Sequence, residues 1–220
     1  MCMKGCKRRR LCVCVAVLAF MFLFVGCEST KPEPTMVAGD VITFGVYRWY
    51  VLDVGSDRAL IVSHGIIERE RYHDTYMDIV WAESDIRTYL NETFYLSFGE
   101  EDRERICEVT NENLNNQWYD TEGGEQTIDH IFLLSIAEVI KYFGDSGEMD
   151  NSPSELGIVS DYLDGKRIAK FKGAPSRWWL RSPGSESFFA ATICAKGNLD
   201  ISGTYADVPS GIRPALWIKL

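Results

Sequence analysis

Histidine is scarce in this sequence, with only His64, His73 and His130 among 220 residues. No two of them stand four residues apart with a glutamate between them, so the zinc-protease helix motif is absent. The sequence also lacks a Gly-x-Ser-x-Gly nucleophile elbow and a glycine-rich phosphate loop. His73-Asp74 beside Asp78 would hold a metal only in an unusual loop, and we expect solvated side chains there. These absences argue against catalysis by the common motifs.

The sequence has no apolar run of the length that a standard membrane-spanning helix needs. Its longest run, residues 11–25, has fifteen residues, whereas a spanning helix takes about 20. Five basic residues precede this run: Lys4, Lys7 and residues 8–10. A basic segment followed by a short apolar segment is typical of a cleaved export signal. An uncleaved signal anchor is the alternative.

The apolar run ends in Phe24-Val25-Gly26-Cys27, which resembles the lipobox of bacterial lipoproteins. Gly26 and Cys27 fit that motif, whereas Phe24 and Val25 stand where Leu and Ala or Ser are usual. The resemblance implies a signal peptide over residues 1–27 and lipidation at Cys27. Residues 28–36 would then form a short tether, and residues 37–220 a single extracytoplasmic domain. We therefore expect the protein at the cell membrane, lipid-anchored on its extracytoplasmic face.

Only two cysteines lie beyond Cys27. Those of the leader would leave with it, so their spacing indicates no metal site. Cys107 and Cys194 are far apart in sequence. In an oxidising compartment they form either a disulfide or two buried thiols, and spacing alone does not distinguish these states.

Basic residues are few once the leader is set aside. The leader holds 5 of the 23 basic residues and none of the 32 acidic ones, which leaves 18 against 32 and a formal charge of −14. So acidic a domain repels phosphate backbones, and we expect no nucleic-acid partner. Its length, about 180 residues, is enough for one sizeable core.

The pattern of apolar residues predicts an α+β fold. Short β-branched and aromatic runs at both ends favour strands, and helical spacing with Ser84 and Ser135 as N-caps favours helices between them. Gly144 should end the third helix. The predicted strands cover residues 41–46, 48–53, 59–63, 128–134, 178–182, 189–195 and 212–219. The predicted helices cover residues 83–91, 101–106 and 136–143, with a short one near 156–163 inside the long loops of 144–176.

Two motifs near the C-terminus go beyond generic patterning. The segment 178–184 is WWLRSPG, and the segment 211–217 is GIRPALW. Together they resemble a large bacterial family of exported domains of unknown function. Similarity continues in segments 42–45, 49–53, 84–91 and 132–138, so it covers nearly all of residues 37–220. The family has no settled biochemistry, so the resemblance implies export and a shared fold.

The same C-terminal pattern is similar to that of C-type-lectin-like domains and formylglycine-generating enzymes. The resemblance implies a lectin-like fold of antiparallel sheets, two or three helices and long loops. It does not carry activity with it. Formylglycine-generating enzymes use two nearby C-terminal cysteines, and only Cys194 lies in that region. The calcium-binding triplets of sugar-binding lectins are also absent. We expect neither oxidase chemistry nor calcium-dependent sugar binding.

Aromatic side chains are the best candidates for ligand contact, because flat apolar faces with a polar edge suit sugars and peptides. Trp118, Tyr119 and Asp120 lie in a loop rich in Asn and Gly, and they are the first candidate site. Adjacent residues on a strand point to opposite faces. Trp178 is therefore expected to face a ligand while Trp179 is buried.

Four other residues are expected to form the internal framework: Arg181, Ser182, Arg213 and Asp85. A buried guanidinium without a partner is costly. The two arginines should therefore pair with loop carbonyls or with a buried carboxylate such as Asp85. The acidic loop 145–152 offers oxygen donors that suit calcium, but its spacing lacks the twelve-residue calcium-loop pattern, so a solvated loop is favoured and no cofactor is expected.

These features favour a lipid-anchored surface module that binds a glycan or another surface protein without catalysis. An enzyme that hydrolyses cell-envelope polysaccharide through two carboxylates is the alternative of a different class. A structural envelope protein with no small ligand is the third.

Overall fold

A computed structural model describes residues 36–144 and 165–220 of the chain. These residues belong to one compact unit, Met36–Leu220. The predicted signal peptide, the lipidation site Cys27, the acidic loop 145–152 and the predicted helix 156–163 lie outside the described residues. Within the described ranges, no helix is both long and apolar enough to cross a membrane.

The described residues form a mixed α+β structure in which most strand pairs are antiparallel. A 3₁₀ turn (Trp81–Glu83) precedes α1, and a π-helical turn (Leu90–Phe94) follows it. The α-helices are α1 (Asp85–Tyr89), α2 (Glu100–Arg105) and α3 (Ile136–Phe143). The strands are β1 (Val41–Phe44), β2 (Tyr47–Val54), β3 (Arg58–Ser63), β4 (Glu68–Glu70), β5 (Val109–Asn111), β6 (Thr127–Asp129), β7 (Lys170–Phe171), β8 (Ala174–Pro175), β9 (Trp178–Pro183), β10 (Phe189–Ile193), β11 (Leu199–Tyr205), β12 (Ser210–Ile212) and β13 (Ala215–Lys219).

The first sheet has the strand order β1-β2-β3-β13 and is antiparallel throughout. Alternation along β2 buries Trp49 and Val51 while Tyr50 between them stays half-exposed, the period-two pattern of a sheet with one covered face. The predicted meander of three N-terminal strands is confirmed.

The second sheet has the order β11-β10-β9-β12-β4, and its WWLRSPG strand β9 is central. Strand β12 pairs with β9 in parallel through Gly211 and Trp178. A Cβ atom on Gly211 would lie 2.8 Å from the Arg177 carbonyl oxygen and 2.6 Å from the Ile66 side chain. The glycine of the GIRPALW motif is therefore required by the close approach of two backbones.

Two predicted strands are shorter than expected. The predicted strand 212–219 is interrupted at Arg213-Pro214, where the chain leaves the second sheet at β12 and enters the first at β13. Proline has no N–H for a strand ladder, which suits this crossing point. The predicted strand 128–134 ends at Asp129, and beyond it only Phe132 forms an isolated bridge, to Ala215.

The predicted helix caps are confirmed. The Ser84 hydroxyl accepts a hydrogen bond from the Arg87 N–H, and Ser135 and Glu138 form a reciprocal capping box at the start of α3. Gly144 ends α3 with φ +75°. These features depend on residues three or four apart, so the sequence alone specifies them.

A fully buried carboxylate, Asp129, joins several elements. It accepts hydrogen bonds from Trp81 Nε1 (3.1 Å), Asn111 Nδ2 (2.9 Å) and Thr127 Oγ1 (2.7 Å). It also pairs with Arg87 Nε at 2.6 Å. Because Asn111 ends β5, this network fixes the point where the next loop leaves the sheet.

Candidate functional site

A groove with a volume of about 370 Å³ lies between three segments: the loop 110–118, the first turns of α3, and Arg181-Ser182 of β9. Apolar and polar groups share its walls. Trp118, Leu114, Ile136 and Ile140 provide apolar surface, and Glu112, Glu138 and Arg181 provide charges. A concave site with apolar walls and a few convergent polar groups is the usual form of a ligand pocket.

The loop wall is held in place by the buried side chain of Asn116. Its amide nitrogen lies within hydrogen-bond distance of the carbonyl oxygens of Pro183 (3.0 Å), Gly184 (3.2 Å) and Ile201 (2.9 Å). Its oxygen accepts a hydrogen bond from the Trp118 N–H at 3.1 Å. One side chain therefore ties the loop to the second sheet and fixes the backbone of Trp118.

The opposite wall is an ion pair joined to a helix start. Arg181 is 6% exposed, and its Nη1 donates to the Leu133 carbonyl oxygen (2.8 Å) and to the Glu138 carboxylate. The same Glu138 oxygen accepts from the Ser135 N–H at 2.8 Å. Ser182 Oγ accepts from the Ile136 N–H at 3.0 Å. Strand β9 and the N-terminus of α3 therefore fix each other.

Both members of this pair keep unused hydrogen-bonding capacity. Within residues 36–144 and 165–220, Arg181 Nε is buried without a hydrogen-bond partner, and both side-chain contacts of Glu138 fall on one of its two carboxylate oxygens. Arg181, Glu138 and Trp118 all line the same groove, which therefore combines a guanidinium donor, a carboxylate acceptor and an aromatic side chain. That combination suits a hydroxyl-rich ligand, whose groups donate and accept and whose ring carbons pack on an aromatic face.

The predicted ligand cluster is only partly in the groove. Trp118 is half-buried and lines it, whereas Tyr119 and Asp120 are exposed and lie outside its lining. Asp120 has φ +56°, which places it in a tight turn of the loop tip. Partial burial, and then the nearby Asp200 carboxylate, raise the pKa of Tyr119.

Trp178 does not face a ligand, which corrects the expectation for this strand. Trp178 and Trp179 are both fully buried because both faces of β9 are covered. The Trp178 ring lies 4.9 Å from the Arg213 guanidinium carbon, and its Nε1 donates to the Arg167 carbonyl oxygen at 2.9 Å. Trp179 packs against Tyr72, with ring centroids 5.7 Å apart.

The two framework arginines use main-chain carbonyls, but neither uses Asp85. Arg213 donates through Nε to the Ser63 carbonyl oxygen (2.9 Å) and through Nη1 to that of Lys166 (2.8 Å). Asp85 is exposed at the first residue of α1, where a carboxylate favours the helix dipole, and it lies 2.8 Å from His73 Nδ1. The carboxylate that pairs with Arg181 is Glu138, so the prediction for Asp85 is wrong.

Sequence reasoning missed two residues that build the groove: Asn116, and Glu138 as the partner of Arg181. Glu138 was identifiable only as a helix cap, because its contact with Arg181 spans 43 residues. Asn116 lies in an Asn-rich stretch, where one anchoring residue looks like its neighbours. Neither pairing has a local sequence signal.

The described ranges contain no group of three or more His, Cys, Asp and Glu side chains placed to hold a metal ion. Cys107 and Cys194 are free thiols. Burial, followed by the Asp200 carboxylate, raises the pKa of Cys194, which lowers its reactivity as a thiolate.

Comparison with known proteins gives one match. The model of a family described as a domain of unknown function matches residues 56–220. No curated protein and no solved structure matches the chain.

Proposed function

The chain belongs to that family, DUF6273, and from the geometry of its groove we propose that it is a surface module that binds glycan chains. In this proposal Cys27 carries the lipid anchor, and the domain works on the extracytoplasmic face of the cell membrane. A surface protein is the alternative ligand. The order of basic, apolar and small residues in the leader supports the anchoring.

The observation that carries the proposal is that Trp118 and the Arg181–Glu138 pair line one groove. The loop wall is fixed by Asn116 and the helix wall by the capping box, so both stand ready before a ligand arrives. A preformed groove avoids the entropy cost of ordering a loop on binding. The acidic domain disfavours strongly anionic ligands, so neutral glycans are the preferred class.

We also propose a C-type-lectin-like architecture. Its support is the central tryptophan-rich strand β9 next to strand β12, which carries Gly211 of the Gly-x-Arg motif, in a largely antiparallel α+β domain. The proposed binding does not rest on this assignment, because fold alone does not determine activity.

An array of neutral glycans and cell-wall fragments, probed with the full-length protein in non-ionic detergent, tests the function. We expect a specific signal that Trp118→Ala lowers at least about tenfold, since stacking side chains at binding sites contribute about 1–3 kcal/mol. Trp217→Ala, on the first sheet outside the groove lining, is the matched control. Equal losses in both variants, or no signal from the wild type, would contradict the proposal. A structural envelope protein would give no signal at all.

The hydrolase alternative has one observation in its favour: Glu112 and Glu138 both line the groove. Two carboxylates across a groove are the machinery of glycoside hydrolysis. Release of reducing ends from cell-wall polysaccharide distinguishes the two functions. A binding module releases none, whereas a hydrolase releases them in the wild type and loses this activity in both Glu112→Gln and Glu138→Gln.

A further inference from the structure

A second surface, separate from the groove, consists of four neighbouring aromatic rings. These rings are Tyr76, Phe188, Phe189 and Tyr205, which we call the aromatic patch. Ring centroids lie 5.1 Å apart for Tyr76 and Phe188, 5.9 Å for Tyr76 and Tyr205, and 4.6 Å for Phe189 and Tyr205. Tyr76 is 58% exposed and Tyr205 46%. Such clustered exposure is unusual, because exposed apolar side chains are normally scattered singly.

Backbone hydrogen bonds hold the three loops of the aromatic patch together. The Ile79 N–H donates to the Ser187 carbonyl oxygen at 2.9 Å, and the Ala206 N–H donates to that of Phe188 at 3.0 Å. The patch is therefore preformed. Two further exposed apolar side chains, Met77 and Val208, lie in the same loops. Aromatic residues and methionine are the types enriched in protein interfaces.

The charge of these loops has a single sign. Segments 73–79, 185–189 and 205–209 contain four acidic residues and no lysine or arginine. The four are Asp74, Asp78, Glu186 and Asp207. Two arginines border them: Arg69 donates to the Pro209 carbonyl oxygen at 3.1 Å, and Arg71 lies 3.9 Å from the Asp74 carboxylate, so the acidic residues outnumber the basic ones by four to two. Asp78 and Ser187 also line a second groove of about 610 Å³, whose lining includes Glu83, Glu122 and Glu125 and no basic residue. Aromatic surface in a negative field complements lysine and arginine side chains, which pack on ring faces.

We propose that the aromatic patch docks a basic segment of a partner protein. A polypeptide fits better than a cationic polysaccharide because the rings are not coplanar. Tyr76 is tilted by 48° to Phe188 and by 44° to Tyr205. Phe188 and Tyr205 are within 18° of parallel, with centroids 6.0 Å apart, but the tilt of Tyr76 against both leaves no single flat platform for a sugar chain. This surface works independently of the glycan groove.

Titration of the full-length protein with a nine-residue arginine peptide tests the proposal. Three substitutions together, Asp78→Asn, Glu186→Gln and Asp207→Asn, should weaken binding at least about tenfold. The matched control removes the same charge from exposed residues of α2, by Glu100→Gln, Glu101→Gln and Glu104→Gln. It should change the affinity less than about twofold. This control separates docking from general attraction to an acidic protein.

The aromatic contribution is tested without a change of charge. Tyr76→Ser should weaken peptide binding about fivefold, whereas Leu96→Ser, at another exposed apolar position, should have no effect. Equal losses in the two triple variants, or no loss in Tyr76→Ser, would overturn the proposal. Tighter binding of a charge-matched glucosamine oligomer at this patch would overturn the choice of a polypeptide.

Discussion

Replacing Asp129 by alanine should lower the free energy of unfolding by about 3–5 kcal/mol, because it leaves several buried donors without their acceptor. The carboxylate is fully buried and accepts from Trp81, Asn111 and Thr127. Each buried donor left unpaired costs about 1–3 kcal/mol. Arg87 is less affected, because its side chain is 26% exposed and still donates to two carbonyl oxygens. The three neutral donors therefore dominate the loss.

Urea unfolding followed by tryptophan fluorescence measures this loss. Asp57→Ala removes an exposed carboxylate with no side-chain hydrogen bond in the described structure, so it should change stability by less than about 0.5 kcal/mol. Asp129→Asn keeps the side-chain volume and one acceptor oxygen, so its loss of unfolding free energy should fall between those of Asp57→Ala and Asp129→Ala. A loss below about 1 kcal/mol in Asp129→Ala, with an unchanged denaturant slope, would refute the reasoning.

Two further predictions concern the second sheet. Gly211→Ala should destabilise the fold by more than about 2 kcal/mol, since the added Cβ clashes with backbone and no rotamer change can relieve this clash. Thermal unfolding measures the loss. In the control Gly173→Ser a Cβ meets nothing within 4 Å but φ is +88°, so this substitution should cost only the backbone strain. Burial raises the pKa of Asp200, so the folded state holds its proton more tightly than the unfolded state does. Relative to Asp200→Asn, the wild type should therefore lose stability as the pH rises from about 3 through the raised pKa, and a parallel wild-type and variant profile would contradict this.

Local features of the fold were predictable, and long-range pairings were not. The N-terminal meander follows from alternation and turn residues, and the caps at Ser84 and Ser135 follow from spacing of three residues. Whether both faces of β9 are buried depends on which other segments pack against the sheet. A strand's sequence does not encode that cover, so the expectation of an exposed Trp178 failed.

At the groove, too, local features were predictable from the sequence and long-range contacts were not. Trp118 stood out in the sequence as an aromatic residue in a polar loop, and it lines the groove. Its neighbours in space come from segments far apart in the chain, and the Arg181–Glu138 contact has no local pattern. The choice of Asp85 as a partner failed for the same reason, since many carboxylates in an acidic chain are equally plausible from sequence.

The attachment of Asn116 has a consequence for the glycan binding that we propose at the groove. The single amide of Asn116 joins the loop to the turn at Pro183-Gly184 and to β11. The loop therefore cannot move away from the second sheet without breaking these hydrogen bonds. If the groove binds glycans as proposed, it should discriminate between ligands of different width by its fixed dimensions and not by closing around them. A change of ligand would then require substitutions of side chains along the groove wall, while Asn116 stays unchanged.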